Sequence, residues 1–187
     1  MRRALGIFAF VAAVLAVPSH PGAAQQLPKA DQVVTPRVYL SLEPVPRGRS
    51  FEIAVVAAIQ PGFHINANPT SEDYLIPTTL TPAAVPGLKL SDARYPRGVL
   101  RKFKFTKREL SVYEGSVTLR LKVEAENDAA LGALKLPLTL RYQACNEEAC
   151  LPPVKLPLTA EFEIAPAGAN ARATHPEIFT IAAPRKK

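Results

Sequence analysis

The sequence predicts an all-β fold, an antiparallel β-sandwich, on three observations. Past residue 36, apolar and polar residues alternate in short runs, the period-2 pattern of half-buried strands. Nineteen prolines punctuate the chain, and proline ends strands and breaks helices. After the first two dozen residues no window carries the apolar stripe of an amphipathic helix. Many short strands separated by Pro and Gly are the pattern of a sandwich.

The chain opens with Met1-Arg2-Arg3, continues with an apolar run from Ala4 to Val17, and reaches the small residues Gly22-Ala23-Ala24. A charged start, a short apolar stretch and a small-residue cleavage site make a secretory signal peptide, expected over residues 1–24. The run falls short of the ~20 residues that span a bilayer, so an exported, soluble mature chain is expected. Without Arg2 and Arg3 the formal charge of +7 drops to about +5, which bears on solubility and partners rather than on fold. Basic residues are densest between Arg94 and Arg108. No nucleic-acid reading motif accompanies them, and nucleic acid is not an expected partner. A mature chain of this length makes one domain, buries about two-thirds of its unfolded surface and has no need of a disulfide to do so. It is expected to be a monomer.

Residues 25–36 are polar and turn-rich and read as a flexible leader. Strands are expected at 37–42, where Val38, Leu40 and Leu42 alternate, and at 51–59, where Phe51, Ile53 and Val55 share a face. Pro44, Pro46 and Gly48 turn the chain between them. Shorter strands are expected at 63–65, 78–80, 88–90 and 99–105. Longer ones follow at 116–124, with Val117, Leu119, Leu121 and Val123 inward, and at 134–144 and 154–164. The sandwich domain is therefore expected over 37–164. Residues 165–187 are expected to be a flexible basic tail, with one short packed piece at 178–181.

The stretch from Arg141 to Leu158, RYQACNEEACLPPVKLPL, holds the two cysteines of the chain, Cys145 and Cys150. Two thiols on one turn between strands form a structural disulfide, a redox couple or part of a metal site, and the spacing alone separates none of these. The hairpin register is more informative. Placing Cys145 opposite Cys150 sets Leu140 against Lys155 and Arg141 against Val154, so the apolar faces disagree. A one-residue shift sets Leu138 against Leu158, Leu140 against Leu156 and Tyr142 against Val154. Both registers hold only if the ladder breaks near residues 150–153, where Pro152 and Pro153 also lack donors. Glu147 and Glu148, between the thiols, disfavour a thiolate and suit a passive carrier better than an aggressive nucleophile.

YQACNEEACLPP, together with GFHINANPTSEDYLIPTTL and LSVYEGSVTL, resembles the N-terminal periplasmic domain of the DsbD-type thiol:disulfide interchange proteins. The resemblance covers roughly residues 33–164. It implies an immunoglobulin-like sandwich in the periplasm whose two cysteines, Cys145 and Cys150, shuttle electrons without a cofactor. It implies thioredoxin-like periplasmic partners, one of them fed by a membrane electron-conduit protein, and mixed disulfides formed at Cys150. Tyr142, Pro152 and His64 belong to the shared motifs and are expected to support the pair. Some members shield the cysteines with an acidic and aromatic loop. Here the corresponding segment, 102–109, is basic, and Phe103, Phe105 and Tyr113 are the shielding candidates. The family's membrane-spanning and thioredoxin-like parts are not in this sequence, so either a separate soluble module or divergence to another task is expected.

Other chemistries find less support. A soft-metal site of Cys145, Cys150 and His64 has no fourth ligand in the sequence, and no metal is expected. No Gly-x-Ser-x-Gly nucleophile motif and no phosphate-cradling glycine loop occurs.

Overall fold

The computed structural model describes residues 27–104 and 106–180. The expected signal peptide, Phe105 and residues 181–187 lie outside the described residues. A 3-10 turn at Ala30–Gln32 leads into β1 (Val34–Leu40), β2 (Leu42–Glu43), β3 (Val45–Pro46) and β4 (Ser50–Ile59). Next come β5 (His64–Asn66), β6 (Thr79–Pro82), β7 (Leu88–Leu90), β8 (Val99–Arg101) and β9 (Leu110–Tyr113). Then follow β10 (Ser116–Ala125), β11 (Gly132–Tyr142), β12 (Ala144–Cys145), β13 (Val154–Ala165), β14 (Arg172–Ala173) and the short helix α1 (Pro176–Phe179).

These strands make an immunoglobulin-like β-sandwich. One face is β1-β4-β10-β7 and the other β3-β13-β11-β6. The alternation read from the sequence is what builds the core. Val117, Leu119, Leu121 and Val123 of β10 and Phe51, Ile53 and Val55 of β4 point inward, as do Leu136, Leu138 and Leu140 of β11. Each such side chain, fully buried, contributes about 1.5–3 kcal/mol. Phe51 and Phe162 meet edge to face across the two sheets, with centroids 5.0 Å apart.

A third sheet, β12-β5-β9-β8, carries the chain on past the end of β11. Gly98 lets this sheet close. A Cβ there would stand 2.3 Å from Ser111 Oγ and 2.7 Å from the Ala67 Cβ, so only glycine lets the start of β8 lie against β9.

Several elements differ from the sequence expectation, each for a physical reason. The strand expected at 99–105 ends at Arg101, where the chain turns to bring Phe103 against Leu110 and Val112. β9 is a strand because it finds partners on both sides, β5 and β8. The leader is not loose throughout: Val33 and Val34 are buried, and the Tyr142 hydroxyl donates 2.8 Å to the Ala30 carbonyl. The expected tail is also partly bound, since β14 pairs with β2 and α1 follows it. One pair, β3 with β13, is parallel. Among the described residues no helix is long and apolar enough to cross a membrane.

Candidate functional site

β11 and β13 pair from Gly132 opposite Ile164 to Tyr142 opposite Val154, the register that aligns the apolar faces. Two residues further on the register has changed. Cys145 now stands opposite Cys150, and the Leu151 N–H donates to the Ala144 carbonyl at 2.8 Å. Between the two registers Pro152 and Pro153 face the single residue Gln143, which is a β-bulge. The prolines have no N–H to donate, so the slip strands few donors. Gln143 repairs part of what remains, its side-chain amide donating to the Leu151 carbonyl at 3.2 Å.

Beyond the bulge the chain turns in four residues. The Asn146 side-chain oxygen accepts from the Glu148 N–H at 2.9 Å and the Ala149 N–H at 2.8 Å, and the Asn146 N–H reaches the Ala149 carbonyl at 2.9 Å. This asparagine-anchored turn closes the hairpin through the backbone. The cysteines occupy a narrow cross-strand pair, their Cα atoms 4.0 Å apart, and are joined as a disulfide. The two sulfurs are not equivalent. Cys145 is 2% exposed, whereas Cys150 is open to solvent.

β12 carries Cys145 into the third sheet, where it pairs directly with His64 of β5. Directly paired residues keep their side chains on one face, with Cβ atoms about 4.5–5.5 Å apart. The imidazole is buried, and its Nε2 has no hydrogen-bond partner among the described residues. Burial lowers the pKa of His64, while the nearby charges of Glu114 and Glu147 act in the opposite direction. The Phe103 ring lies over the imidazole, with centroids 4.1 Å apart and planes 21° from parallel.

Phe103 is held by its loop. The Lys102 ammonium donates to the Lys107 carbonyl, and the Thr106 N–H bonds the Phe103 carbonyl at 3.2 Å. The Arg108 guanidinium lies 3.7 Å from the Glu72 carboxylate of the neighbouring loop. At the root of the loop Arg101 and Glu114 form an ion pair at 2.7 Å.

The structure thus gathers Cys145, Cys150, His64 and Phe103 from four segments. Phe105 lies outside the described residues. Tyr113, a shielding candidate, takes another place: its hydroxyl donates to the Pro96 carbonyl at 2.9 Å and accepts from the Asn68 N–H at 3.2 Å. Tyr142 is fully buried beneath the hairpin, and burial pushes its phenol up to about 12. Pro152 is exposed and acts through the bulge. Gln143 and Asn146 were not singled out in the sequence. Their signal was there to read, a glutamine opposite two prolines and an asparagine opening a tight turn. Among the described residues no group of three or more His, Cys, Asp and Glu side chains is placed to hold a metal ion.

The family model described as "Thiol:disulfide interchange protein DsbD, N-terminal" matches residues 30–160. The chain belongs to this family. Membership of the DsbD N-terminal family spans the third sheet, both cysteines and most of the sandwich. Among solved structures, the reduced N-terminal domain of Neisseria meningitidis DsbD is 17% identical, with a TM-score of 0.44, covering 83% of this chain and 100% of that one. The N-terminal periplasmic domain of ScsB from Proteus mirabilis is 11% identical, with a TM-score of 0.45, covering 67% of this chain and 45% of that one. A search of curated proteins finds no match.

Proposed function

We propose that this protein is a periplasmic thiol–disulfide exchange module that carries two electrons on Cys145 and Cys150. The observation that carries the reading is the unequal exposure of the two sulfurs in a hairpin whose backbone closes itself. A partner thiolate must approach a sulfur along the S–S axis, and exposed Cys150 permits this while buried Cys145 does not. Attack at Cys150 gives a mixed disulfide and leaves Cys145 as the resolving thiol. Family membership supports thioredoxin-like domains as the partners, one supplying electrons from a membrane conduit and others receiving them. Phe103 shields the inner side of the pair from small thiols.

The rival reading is a non-redox binding or assembly module whose cysteines form a permanent staple, and the hairpin argues against it. Closing so small a ring restricts the unfolded chain by only about 2 kcal/mol. The same turn is already fastened by Asn146 and by the Leu151–Ala144 bond.

A glutathione redox titration of the mature protein tests the proposal, with the pair read by alkylation and mass. The expected midpoint lies above about −300 mV, the level below which structural disulfides sit. A Cys145→Ala variant should trap a thioredoxin-like partner through Cys150, and Cys150→Ala should not. A pair that stays oxidised under strongly reducing conditions would rule the carrier out.

A further inference from the structure

Resolving a mixed disulfide at Cys150 requires Cys145, a thiol in a buried place, to lose its proton before it can attack. Burial works against the thiolate, and so does the charge of Glu147 and Glu148 in the intervening loop. Solvent cannot readily take the proton from a residue 2% exposed. A base inside the site is needed. The residue paired with Cys145 across β12 and β5 is His64, which is 3% exposed and whose buried Nε2 has no hydrogen-bond partner among the described residues. A buried polar atom left without a hydrogen bond is costly, and such an atom on the residue paired with an exchanging thiol has an evident use. Phe103, stacked on the ring, holds the imidazole in place and keeps water from it.

We propose that His64 Nε2 is the proton acceptor for Cys145 when the reduced pair closes, an assignment that rests on the carrier reading above. The imidazole starts neutral, with its proton on Nδ1. In the resolving step the Cys145 S–H bond breaks and its proton passes to Nε2. Cys145 Sγ attacks Cys150 Sγ and the new S–S bond forms. The bond from Cys150 to the partner's sulfur breaks, and the electron pair leaves on that sulfur. The partner's disulfide is the oxidant: it is reduced to two thiols as Cys145 and Cys150 become a disulfide. The imidazolium then returns its proton to solvent or to the departing thiolate. In the reverse direction the imidazolium protonates Cys145 as Cys150 is attacked.

The surroundings suit this role. Burial keeps His64 in the neutral form near pH 7, and Glu114 and Glu147 are the carboxylates whose charge favours the transient imidazolium. The loop after β8 places Lys102 and Lys104 beside Phe103 in the chain, and Arg101 is paired to Glu114.

The test uses the mature protein, reduced and mixed with one equivalent of dithiobis(nitrobenzoate). A first thionitrobenzoate is released as Cys150 is capped, and a second as Cys145 closes on it. His64→Gln is expected to leave the first release unchanged and to slow the second at pH 7 by about tenfold or more, the usual scale of a lost general base being ~10²–10⁴. The wild-type rate should bend at an ionisation that ¹³C NMR of the reduced protein assigns to His64. The variant rate should rise with hydroxide and show no bend. Superimposable second phases would overturn the proposal, as would a bend away from the NMR pKa, which needs no variant to fold. A normal His64-dependent second phase with a midpoint below the range of exchange proteins would sink the carrier reading but not the proton transfer. No second release would sink both.

Discussion

Phe103 makes two kinds of contact with one ring. It stacks on His64 at 4.1 Å, and it forms a small apolar cluster with Leu110, Val112 and Leu75, separate from the main core. A ring buried in a main core costs about 3–5 kcal/mol when cut to alanine, and a small satellite cluster on a surface loop should lie at or below the bottom of that range. The functional effect should be larger. Phe103→Ala uncovers the imidazole paired with Cys145, and on the proposed shielding role glutathione should reduce the pair several-fold faster. A urea titration separates loss of stability from gain of access, since the reduction rate is read far below the unfolding midpoint. An unchanged rate would mean that the ring supports the loop and shields nothing. Removal of the Tyr113 ring should not mimic it, because that hydroxyl is committed to Pro96 and Asn68.

At the scale of elements the hairpin β11–β13 is the part that sequence reasoning reached best, and the reason is length. Eleven residues of β11 and twelve of β13 alternate strictly enough that only one register aligns their apolar faces. The cysteines require the other register, so a bulge had to lie between, and two prolines marked where. β8, β9, β12 and β14 run two to four residues each. Strands that short carry too little period to fix their ends or their pairing, which their neighbours set. The resemblance groups His64 with the cysteines, but its direct pairing with Cys145 joins residues far apart in the chain and is seen only in the fold. A prediction belongs to this hairpin. Cys145→Ser with Cys150→Ser removes the crosslink but leaves the Asn146 turn and the Leu151–Ala144 bond intact. The variant should fold, lose about 2 kcal/mol or less, and keep the Leu151 amide slow to exchange with deuterium. Rapid exchange at Leu151 would show that the disulfide, not the backbone, shapes the turn.

The whole molecule separates its redox end from its fastening. The segment after residue 170 closes over the outside of the first sheet. β14 pairs with β2, the Thr174 N–H donates to the Ser41 carbonyl at 3.1 Å, and the His175 ring meets Tyr39 edge-on at 4.9 Å. The Arg120 guanidinium of β10 donates to the Ile178 carbonyl, and Phe179 lines a 180 Å³ cavity with Glu52 and Arg94. These partners belong to β1, β2, β4 and β10 or to the loops beside them. The cysteine sheet is β12-β5-β9-β8. A contact shifts a redox equilibrium only if it differs between the oxidised and reduced states. Deleting residues 171–187 should therefore cost stability, about 1–3 kcal/mol for a few partly buried hydrogen bonds and one ring contact, and leave the glutathione midpoint where it was. The two quantities are measured on the same sample, by denaturant titration and by alkylation. A midpoint that moved by ~30 mV would correspond to about 1.4 kcal/mol of coupling. Since the tail meets the outer face of β10, and β10 follows β9 after two residues, such coupling would have to travel through that turn, and Glu114 beside Arg101 would be the first place to look for it.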